Sequence, residues 1–255
     1  MFDTHMHTEY STDSNMKIHE VIEKSKEYNI GAIITEHMDL NYKDKDKFRL
    51  DCDKYFNDYI RYKNDRLLLG IEIGMSNEYS DQYRQIINNY PFDYVIGSVH
   101  EMKNEDLYMA DTLYKDYSKD ELYIKYFKEI ISRVDKHEFI DSLGHIDYLS
   151  RCAKYDDKEM YYDVYKEYID EVLKKLIDKG ICLELNTRRL CDKSAIDNLL
   201  KIYSRFYELG GKYITIGSDA HVKENIGKYF NVAIDIAEYC NLRPVYFKNR
   251  KLEIL

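Results

Sequence analysis

The chain has 255 residues, of which 44% are hydrophobic and 33% are charged, so it can bury a core and is not a disordered protein. Its formal net charge of −9 argues against a basic surface and therefore against nucleic acid as a partner. No apolar run approaches the roughly 20 residues that span a bilayer, and five scattered cysteines without a C-x-x-C pair indicate reduced thiols, so we expect a cytoplasmic protein.

Short apolar runs alternate with longer amphipathic stretches along the whole chain. The apolar runs predict seven strands, at residues 1–7, 31–36, 67–74, 94–100, 142–145, 181–186 and 213–218. The stretches between them predict seven helices, at residues 18–28, 51–62, 81–89, 120–137, 158–179, 195–209 and 225–239. Gly180 is expected to end the fifth helix, and residues 244–255 predict two short strands around Lys248-Asn249-Arg250.

This regular alternation of strand and helix indicates an α/β fold with a parallel sheet. No linker rich in Gly, Ser or Pro divides the chain, so a single closed barrel explains the pattern better than two domains. We therefore expect one domain over residues 1–255.

Six of the eight histidines lie at or just beyond the carboxyl end of a predicted strand. These six are His5, His7, His37, His100, His145 and His221. Carboxylates occupy the same positions, namely Asp3, Glu36, Glu72, Asp147 and Asp219. Because parallel βα folds build their active sites at that edge from several strands, we expect these side chains to converge. His19 and His137 fall in predicted helices, where we expect solvated residues.

Two of these pairs predict a metal site. His5 and His7 face the same side of a strand because side chains alternate with period two, and Asp219 and His221 repeat this spacing. In a closed barrel the first and last strands are neighbours, so the two pairs would meet. Imidazole together with carboxylate suits zinc, manganese or iron. The residues alone therefore predict a multinuclear metallohydrolase.

For each of three acidic residues, the sequence allows two interpretations. Asp13 lies shortly before the first predicted helix, where it fits a turn or cap residue as well as a metal ligand. Glu36 and Asp3 fit either a carboxylate that orients an imidazole or an exposed side chain.

Six segments, in order, resemble the motifs of the polymerase-and-histidinol-phosphatase (PHP) superfamily. They are Asp3-Thr4-His5-Met6-His7-Thr8 with Tyr10-Ser11-x-Asp13-Ser14, Thr35-Glu36-His37, Gly70-Ile71-Glu72, Gly97-Ser98-Val99-His100, Gly144-His145-Ile146-Asp147 and Gly217-Ser218-Asp219-Ala220-His221. The resemblance spans nearly the whole chain, whose length and ending are similar to those of stand-alone histidinol-phosphate phosphatases. It implies a distorted (β/α)7 TIM-like barrel.

The resemblance also implies a trinuclear metal centre, with three divalent ions that are zinc, manganese or iron. The first ion would be bound by His5, His7, Glu72 and Asp219. Glu72 would bridge to the second ion, which His100 and His145 would complete. The third would be bound by Asp13, His37 and His221. Glu72, Asp219 and His37 are the expected catalytic residues.

The reaction that the resemblance implies is hydrolysis of a phosphomonoester, with a hydroxide between the first two ions attacking phosphorus. The expected small-molecule substrate is L-histidinol phosphate, an intermediate of histidine biosynthesis. Arg151, Arg188 and Arg189 are candidates for binding its phosphate, although each also fits a surface arginine. Two alternatives stay open: a phosphoesterase for another phosphomonoester or a nucleotide phosphodiester, and a metal-stabilised module that serves a polymerase.

Overall fold

A mostly parallel sheet forms the centre of the structure, a computed structural model in which residues 1–254 are described. The sheet order is β1-β2-β3-β4-β7-β8-β9-β10-β11, and every neighbouring pair is parallel except β10 and β11. The strands are β1 (Phe2–Asp3), β2 (Gly31–Met38), β3 (Leu67–Gly74), β4 (Val95–Ser98), β5 (Glu101–Met102), β6 (Glu105–Asp106), β7 (Ser142–Leu143), β8 (Cys182–Asn186), β9 (Tyr213–Gly217), β10 (Arg243–Lys248) and β11 (Lys251–Ile254). The predicted α/β fold with a parallel sheet is confirmed.

Helices connect these strands. They are α1 (Ile18–Glu27), α2 (Cys52–Tyr59), α3 (Ser80–Asn89), α4 (Thr112–Asp116), α5 (Lys119–Lys136), α6 (Tyr148–Cys152), α7 (Tyr162–Lys179), α8 (Lys193–Glu208) and α9 (Phe230–Tyr239). Within residues 1–254, no helix combines the length and the apolar composition that crossing a membrane would require.

The first strand lies beside the seventh parallel strand, β9. The Thr4 N–H donates to the Ile216 carbonyl at 3.0 Å, and the Asp219 N–H donates to the His5 carbonyl at 2.8 Å. A further bond joins the His7 N–H to the Ala220 carbonyl at 2.8 Å. These contacts join the segment that begins with β1 to β9, the last of the seven parallel strands that the sequence predicts. They also place the 5–7 and 219–221 segments side by side.

Side chains that face the barrel interior change character along each strand. On β2, period two puts Ile33 and His37 on one face, and on β3 it does the same for Leu68 and Glu72. The residues nearer the amino ends form an apolar cluster that includes Phe2, Ile33, Leu68, Tyr94, Ile96, Cys182, Val245 and Phe247. The interior is therefore apolar at the amino ends of the strands and polar at their carboxyl ends.

The C-terminal hairpin of β10 and β11 covers the apolar end of the interior, and its two strands were predicted from the sequence. Val245 and Phe247 enter the apolar cluster. The loop between the strands is held by Asn249, whose N–H donates to Asp93 at 2.9 Å, and by Arg250, whose Nε donates to Asp141 at 2.6 Å.

Some predicted boundaries were wrong. Helix α7 begins at Tyr162 rather than at residue 158, although Gly180 ends it as predicted, in the left-handed region at φ +68°. Helix α9 begins only at Phe230, because Gly227 and Tyr229 have φ of +66° and +61°, which an α-helix cannot contain. The β5–β6 hairpin and the short helices α4 and α6 were not predicted.

The prediction for His137 was also wrong. Its side chain is fully buried rather than solvated, and its ring lies against Tyr83 and Phe139. Its Nδ1 is 2.8 Å from the Arg133 carbonyl at the end of α5, which the ring N–H satisfies. His19 is exposed, as expected. All five cysteines are free, and only Cys191 is exposed.

Candidate metal centre

Glu72, near the end of β3, has a fully buried carboxylate with imidazole rings on both sides. Its Oε2 is 3.0 Å from His37 Nδ1, 3.3 Å from His5 Nε2 and 3.4 Å from His7 Nε2. These rings come from β2 and from the segment after β1. Together with β3, which carries Glu72 itself, three chain segments meet at this oxygen atom.

The other oxygen of Glu72 faces the next strands of the barrel. Its Oε1 is 2.9 Å from His145 Nε2 and 3.3 Å from His100 Nε2. Ser98 donates its hydroxyl to the same oxygen at 2.6 Å. The carboxylate therefore lies between two groups of imidazoles, one at each oxygen.

Asp219 adds a second carboxylate beside the first group. Its Oδ1 is 3.5 Å from His7 Nε2 and 3.8 Å from His5 Nε2. Its backbone adopts φ of +53°, in the left-handed region that a non-glycine residue adopts rarely. The turn after β9 thus directs this side chain toward the rings of the first strand.

Asp13 faces a third group of imidazoles. Its Oδ2 is 3.1 Å from His221 Nε2 and 3.7 Å from His37 Nε2. The His7 ring lies between these two rings, with centroid distances of 4.0 Å to His37 and 4.4 Å to His221. Asp13 does not cap α1, whose first residue is Ile18, so the helix-cap interpretation does not hold.

The donor atoms fit divalent metal ions. Among the described residues, 1–254, four groups of three side chains place one ligand atom each within 4.8 Å of one another. They are His7-His37-His221, His5-His7-Asp219, His5-Glu72-His145 and His37-Asp39-His100. Glu72 Oε2 and His37 Nδ1 are buried and only 3.0 Å apart, yet neither makes a hydrogen bond of acceptable geometry to any described residue. Leaving such buried polar atoms unpaired is costly unless a cation satisfies them.

These groups overlap with the three ligand sets that the resemblance implies, but they divide the histidines differently. His5 rather than His100 joins Glu72 and His145, and His7 joins His37 and His221. All nine residues that were predicted as ligands nevertheless lie together at the carboxyl ends of the strands.

The electrostatics keep the two central carboxylates ionised. Burial alone would raise the pKa of Glu72, but His5, His100 and His37 outweigh burial and hold it well below its usual range. For Asp219, burial is likewise outweighed, here by Arg151 and His5. Burial lowers the pKa of His7, and the neighbouring His37 and His221 lower it further, which favours the neutral form that binds metals.

Two of the three candidate arginines reach the cluster. Arg151, on α6, donates from Nη1 to Asp219 Oδ2 at 2.6 Å. Arg188 donates from Nη1 to the Asp219 carbonyl at 3.0 Å, and the same atom is 3.3 Å from His221 Nδ1. Both line the same cavity of about 900 Å³, which has His37, His100 and Asp219 in its wall.

Arg189 lines the same cavity, but two acidic side chains hold its guanidinium. Its Nη1 donates to Asp147 Oδ2 at 3.0 Å, and its Nη2 contacts Glu159. The neighbouring Arg188 contacts the cluster through its guanidinium, and its backbone N–H donates to Asn186 Oδ1 at 3.1 Å in the turn after β8. The two adjacent arginines, which the sequence leaves equivalent, therefore have different partners in the same cavity.

Two carboxylates that contact the histidines were not predicted. Asp39 Oδ2 is 2.9 Å from His100 Nδ1, and Glu184 Oε1 is 2.6 Å from His5 Nδ1. A signal was present in the sequence, because each is an acidic residue in or directly after a strand that is otherwise largely apolar. Their partners on other strands could not be identified without the fold.

Glu36 and Asp3 are both fully buried, so the exposed alternative is wrong for each. Glu36 accepts the Ser11 hydroxyl at 2.5 Å, and Ser11 Oγ is 3.1 Å from His7 Nδ1, so Glu36 reaches an imidazole through one hydroxyl. Asp3 instead accepts the N–H groups of Ser218 and Gly227, both at 2.9 Å. It holds the backbone around the site rather than an imidazole.

The comparisons with known proteins agree with this geometry. The family model of the PHP domain matches residues 3–188. A probable histidinol-phosphatase of Clostridium acetobutylicum is 50% identical over 253 residues, which are 99% of each chain. The histidinol-phosphatase of Lactococcus lactis subsp. lactis is 30% identical over 226 residues, which are 86% of this chain and 84% of that one.

A solved structure extends the likeness to the whole fold. It is the crystal structure of histidinol phosphate phosphatase from Lactococcus lactis subsp. lactis complexed with zinc, L-histidinol and phosphate. It matches with a TM-score of 0.94 at 27% identity, covering 99% of this chain and 98% of that chain. With the strand-end histidines in place and the family model matched over most of its length, this chain belongs to the PHP domain family.

Proposed function

We propose that this chain is a metal-dependent phosphatase that hydrolyses L-histidinol phosphate to L-histidinol and phosphate, in histidine biosynthesis. The observation that supports this most directly is its likeness, over 99% of its length, to an enzyme crystallised with zinc, L-histidinol and phosphate. The relative at 50% identity supports the same substrate. We also propose that residues 1–255 form one domain that acts in the cytoplasm, which agrees with five free cysteines.

The same proposal assigns the metal ligands to three sets. They are His5, His7, Glu72 and Asp219 for the first ion, Glu72, His100 and His145 for the second, and Asp13, His37 and His221 for the third. Divalent ions bound there would lower the pKa of a coordinated water to about 7 and offset the negative charge of the substrate. Three such ions outweigh the three carboxylates Glu72, Asp219 and Asp13, which suits a phosphate-monoester dianion.

Arg151 and Arg188 would bind the phosphate from the cavity side. The Arg151 guanidinium is fixed by Asp219 at 2.6 Å and lies over the Tyr148 ring, 5.1 Å from its centroid. An arginine held in this way keeps further N–H groups for two phosphate oxygens at once. Arg189 also lines the cavity, but we leave it out of this role because its guanidinium is paired with two carboxylates, Asp147 and Glu159, whereas that of Arg151 is paired with one.

Glu72, Asp219 and His37 are the residues that we propose as catalytic. His37 and Asp219 line the cavity, whereas Glu72 lies beneath its floor with no exposed surface. The carboxylate oxygens of Glu72 and Asp219 lie 2.9–3.8 Å from neighbouring ring nitrogens, including that of His37, so the charged groups at this end of the cavity are closely packed. Such preorganised charge is the main way in which an enzyme stabilises a phosphoryl-transfer transition state.

An assay with a substrate panel tests this function. The purified full-length protein, with its metal content measured, is given L-histidinol phosphate, a nucleoside monophosphate, an aryl phosphate and an aryl phosphodiester. We expect the highest kcat/KM for L-histidinol phosphate. An equal or higher value for the nucleotide or for the diester would refute the proposed substrate and favour the alternative phosphoesterase.

A further inference from the structure

Glu184 is a buried carboxylate that contacts two of the proposed ligands at once. It lies on β8 with no exposed surface. Its Oε1 is 2.6 Å from His5 Nδ1, and its Oε2 accepts the backbone N–H of His145 at 2.7 Å. His5 and His145 lie at the two different oxygens of Glu72, so Glu184 links both sides of that carboxylate.

The contact with Glu184 decides which nitrogen of His5 carries the ring hydrogen. A carboxylate accepts hydrogen bonds and does not donate them, so in the neutral ring that binds a metal the hydrogen lies on His5 Nδ1. The lone pair is then on Nε2, which is 3.3 Å from Glu72 Oε2 and 3.8 Å from Asp219 Oδ1. The free nitrogen therefore faces the other candidate ligands, as metal binding requires.

The backbone of β9 leaves room for this pair. A Cβ added to Gly217 would lie 2.5 Å from Glu184 Oε1 and would also collide with the Cβ of His5. No side chain larger than hydrogen fits there without displacing the contact. The absence of a side chain at Gly217 is thus a second, independent observation that the fold accommodates the Glu184–His5 contact.

We propose that Glu184 is a positioning residue that holds His5 as its Nδ1–H tautomer and fixes His145 beside it, so that both are directed toward Glu72. This inference rests on the ligand roles in the proposed function. Partners of this kind commonly contribute a factor of about 10 to 100 to metal affinity.

The test uses the isosteric variant Glu184→Gln in the full-length protein. A glutamine has one acceptor oxygen and one NH₂ group, but it would face two N–H donors, from His5 and from His145. Either one contact becomes repulsive or the His5 hydrogen moves to Nε2, the ligating nitrogen. We expect zinc affinity, measured with the metal alone by chelator competition, to fall by roughly 10- to 100-fold.

Asp141→Asn is the matched control. Asp141 is a buried carboxylate at the amino end of the barrel that accepts the Val95 N–H at 2.8 Å and pairs with Arg250, away from the histidines. We expect Asp141→Asn, which removes the charge of this carboxylate, to lower thermal stability and to leave zinc affinity unchanged. Equal losses of affinity in both variants would mean that Glu184 has only the general structural role of a buried carboxylate.

A second measurement does not depend on the variant folding. The ring ¹⁵N shifts of His5 in the zinc-loaded wild-type protein, assigned by comparison with His5→Gln, report which ring nitrogen carries the hydrogen. We expect Nδ1–H; an Nε2–H ring in the wild type, or unchanged zinc affinity in Glu184→Gln, would overturn the proposal. Neither readout uses a substrate. If the panel assay showed that L-histidinol phosphate is not the substrate, the role proposed for Glu184 would therefore still be tested on its own.

Discussion

Replacing Glu72 by glutamine tests the proposed centre most directly. The substitution keeps the shape of the side chain and removes one negative charge from a fully buried position. Its two oxygens lie within 3.4 Å of the ring nitrogens of five histidines, namely His5, His7, His37, His100 and His145. Whichever way the amide is turned, its NH₂ group faces nitrogen atoms that we propose as ligands.

The expected magnitude follows from this burial. Removing one charged partner from a buried pair typically costs about 3–5 kcal/mol, which is a factor of roughly a hundred to several thousand in an equilibrium constant. Because Glu72 belongs to two proposed ion sets, we expect Glu72→Gln to lose metal from both and to lower kcat/KM by several orders of magnitude. Elemental analysis after gel filtration and a phosphate-release assay measure the two effects.

His19→Asn is the control, because His19 is exposed on α1. Its turnover and metal content are expected to stay within a few fold of the wild type. His137 would be a poor control, since it is buried. If Glu72→Gln kept its metals and its rate, or if His19→Asn lost as much, the strand-end residues would not be the metal centre.

Three further predictions concern metal content, phosphate binding and acid stability. Protein expressed with added metal is expected to contain about three ions per chain, and one ion or fewer by elemental analysis would contradict the three ligand sets. Arg151→Ala is expected to lower kcat/KM by about ten- to a hundred-fold on every phosphate ester while the metals stay bound, and Arg151→Lys to recover only part; an unchanged kcat/KM would make Arg151 a surface residue. Burial lowers the pKa of His137 below its usual 6.5, so below that pH the unfolded chain binds a proton that the folded chain does not, and stability falls as the pH falls. His137→Phe is therefore expected to reduce the slope of the unfolding free energy between pH 6.5 and 5.5 by up to about 1.4 kcal/mol per pH unit, and equal slopes in urea titrations would refute this.

The sequence predicted the site better than it predicted its surroundings. Residues such as His37 and Glu72 could be placed together because strand ends meet at one edge of a parallel sheet, whatever the loops do. The partners of these residues depend on pairings across the barrel. Glu184 and His5 are 179 residues apart in the sequence, and no local sequence pattern predicts a contact between residues so far apart.

Orientation within short turns was a second limit. Arg188 and Arg189 are adjacent in a 3-10 turn, yet one faces the cluster and the other is held by Asp147 and Glu159. The direction of each side chain depends on the turn geometry, which the residue types do not specify. His137 was misjudged for a related reason, because the end of α5 turns its ring inward against Tyr83.

The proposed ligands are spread over almost the whole length of the chain, from His5 to His221. Bound ions would therefore act as cross-links that close very long loops, much as disulfides do in proteins from oxidising compartments. Binding energy of this kind adds directly to the free energy of folding. The supply of metal in the cell would then influence how long the folded enzyme survives, because protein without metal would lack the cross-links between residues 5–7 and 219–221.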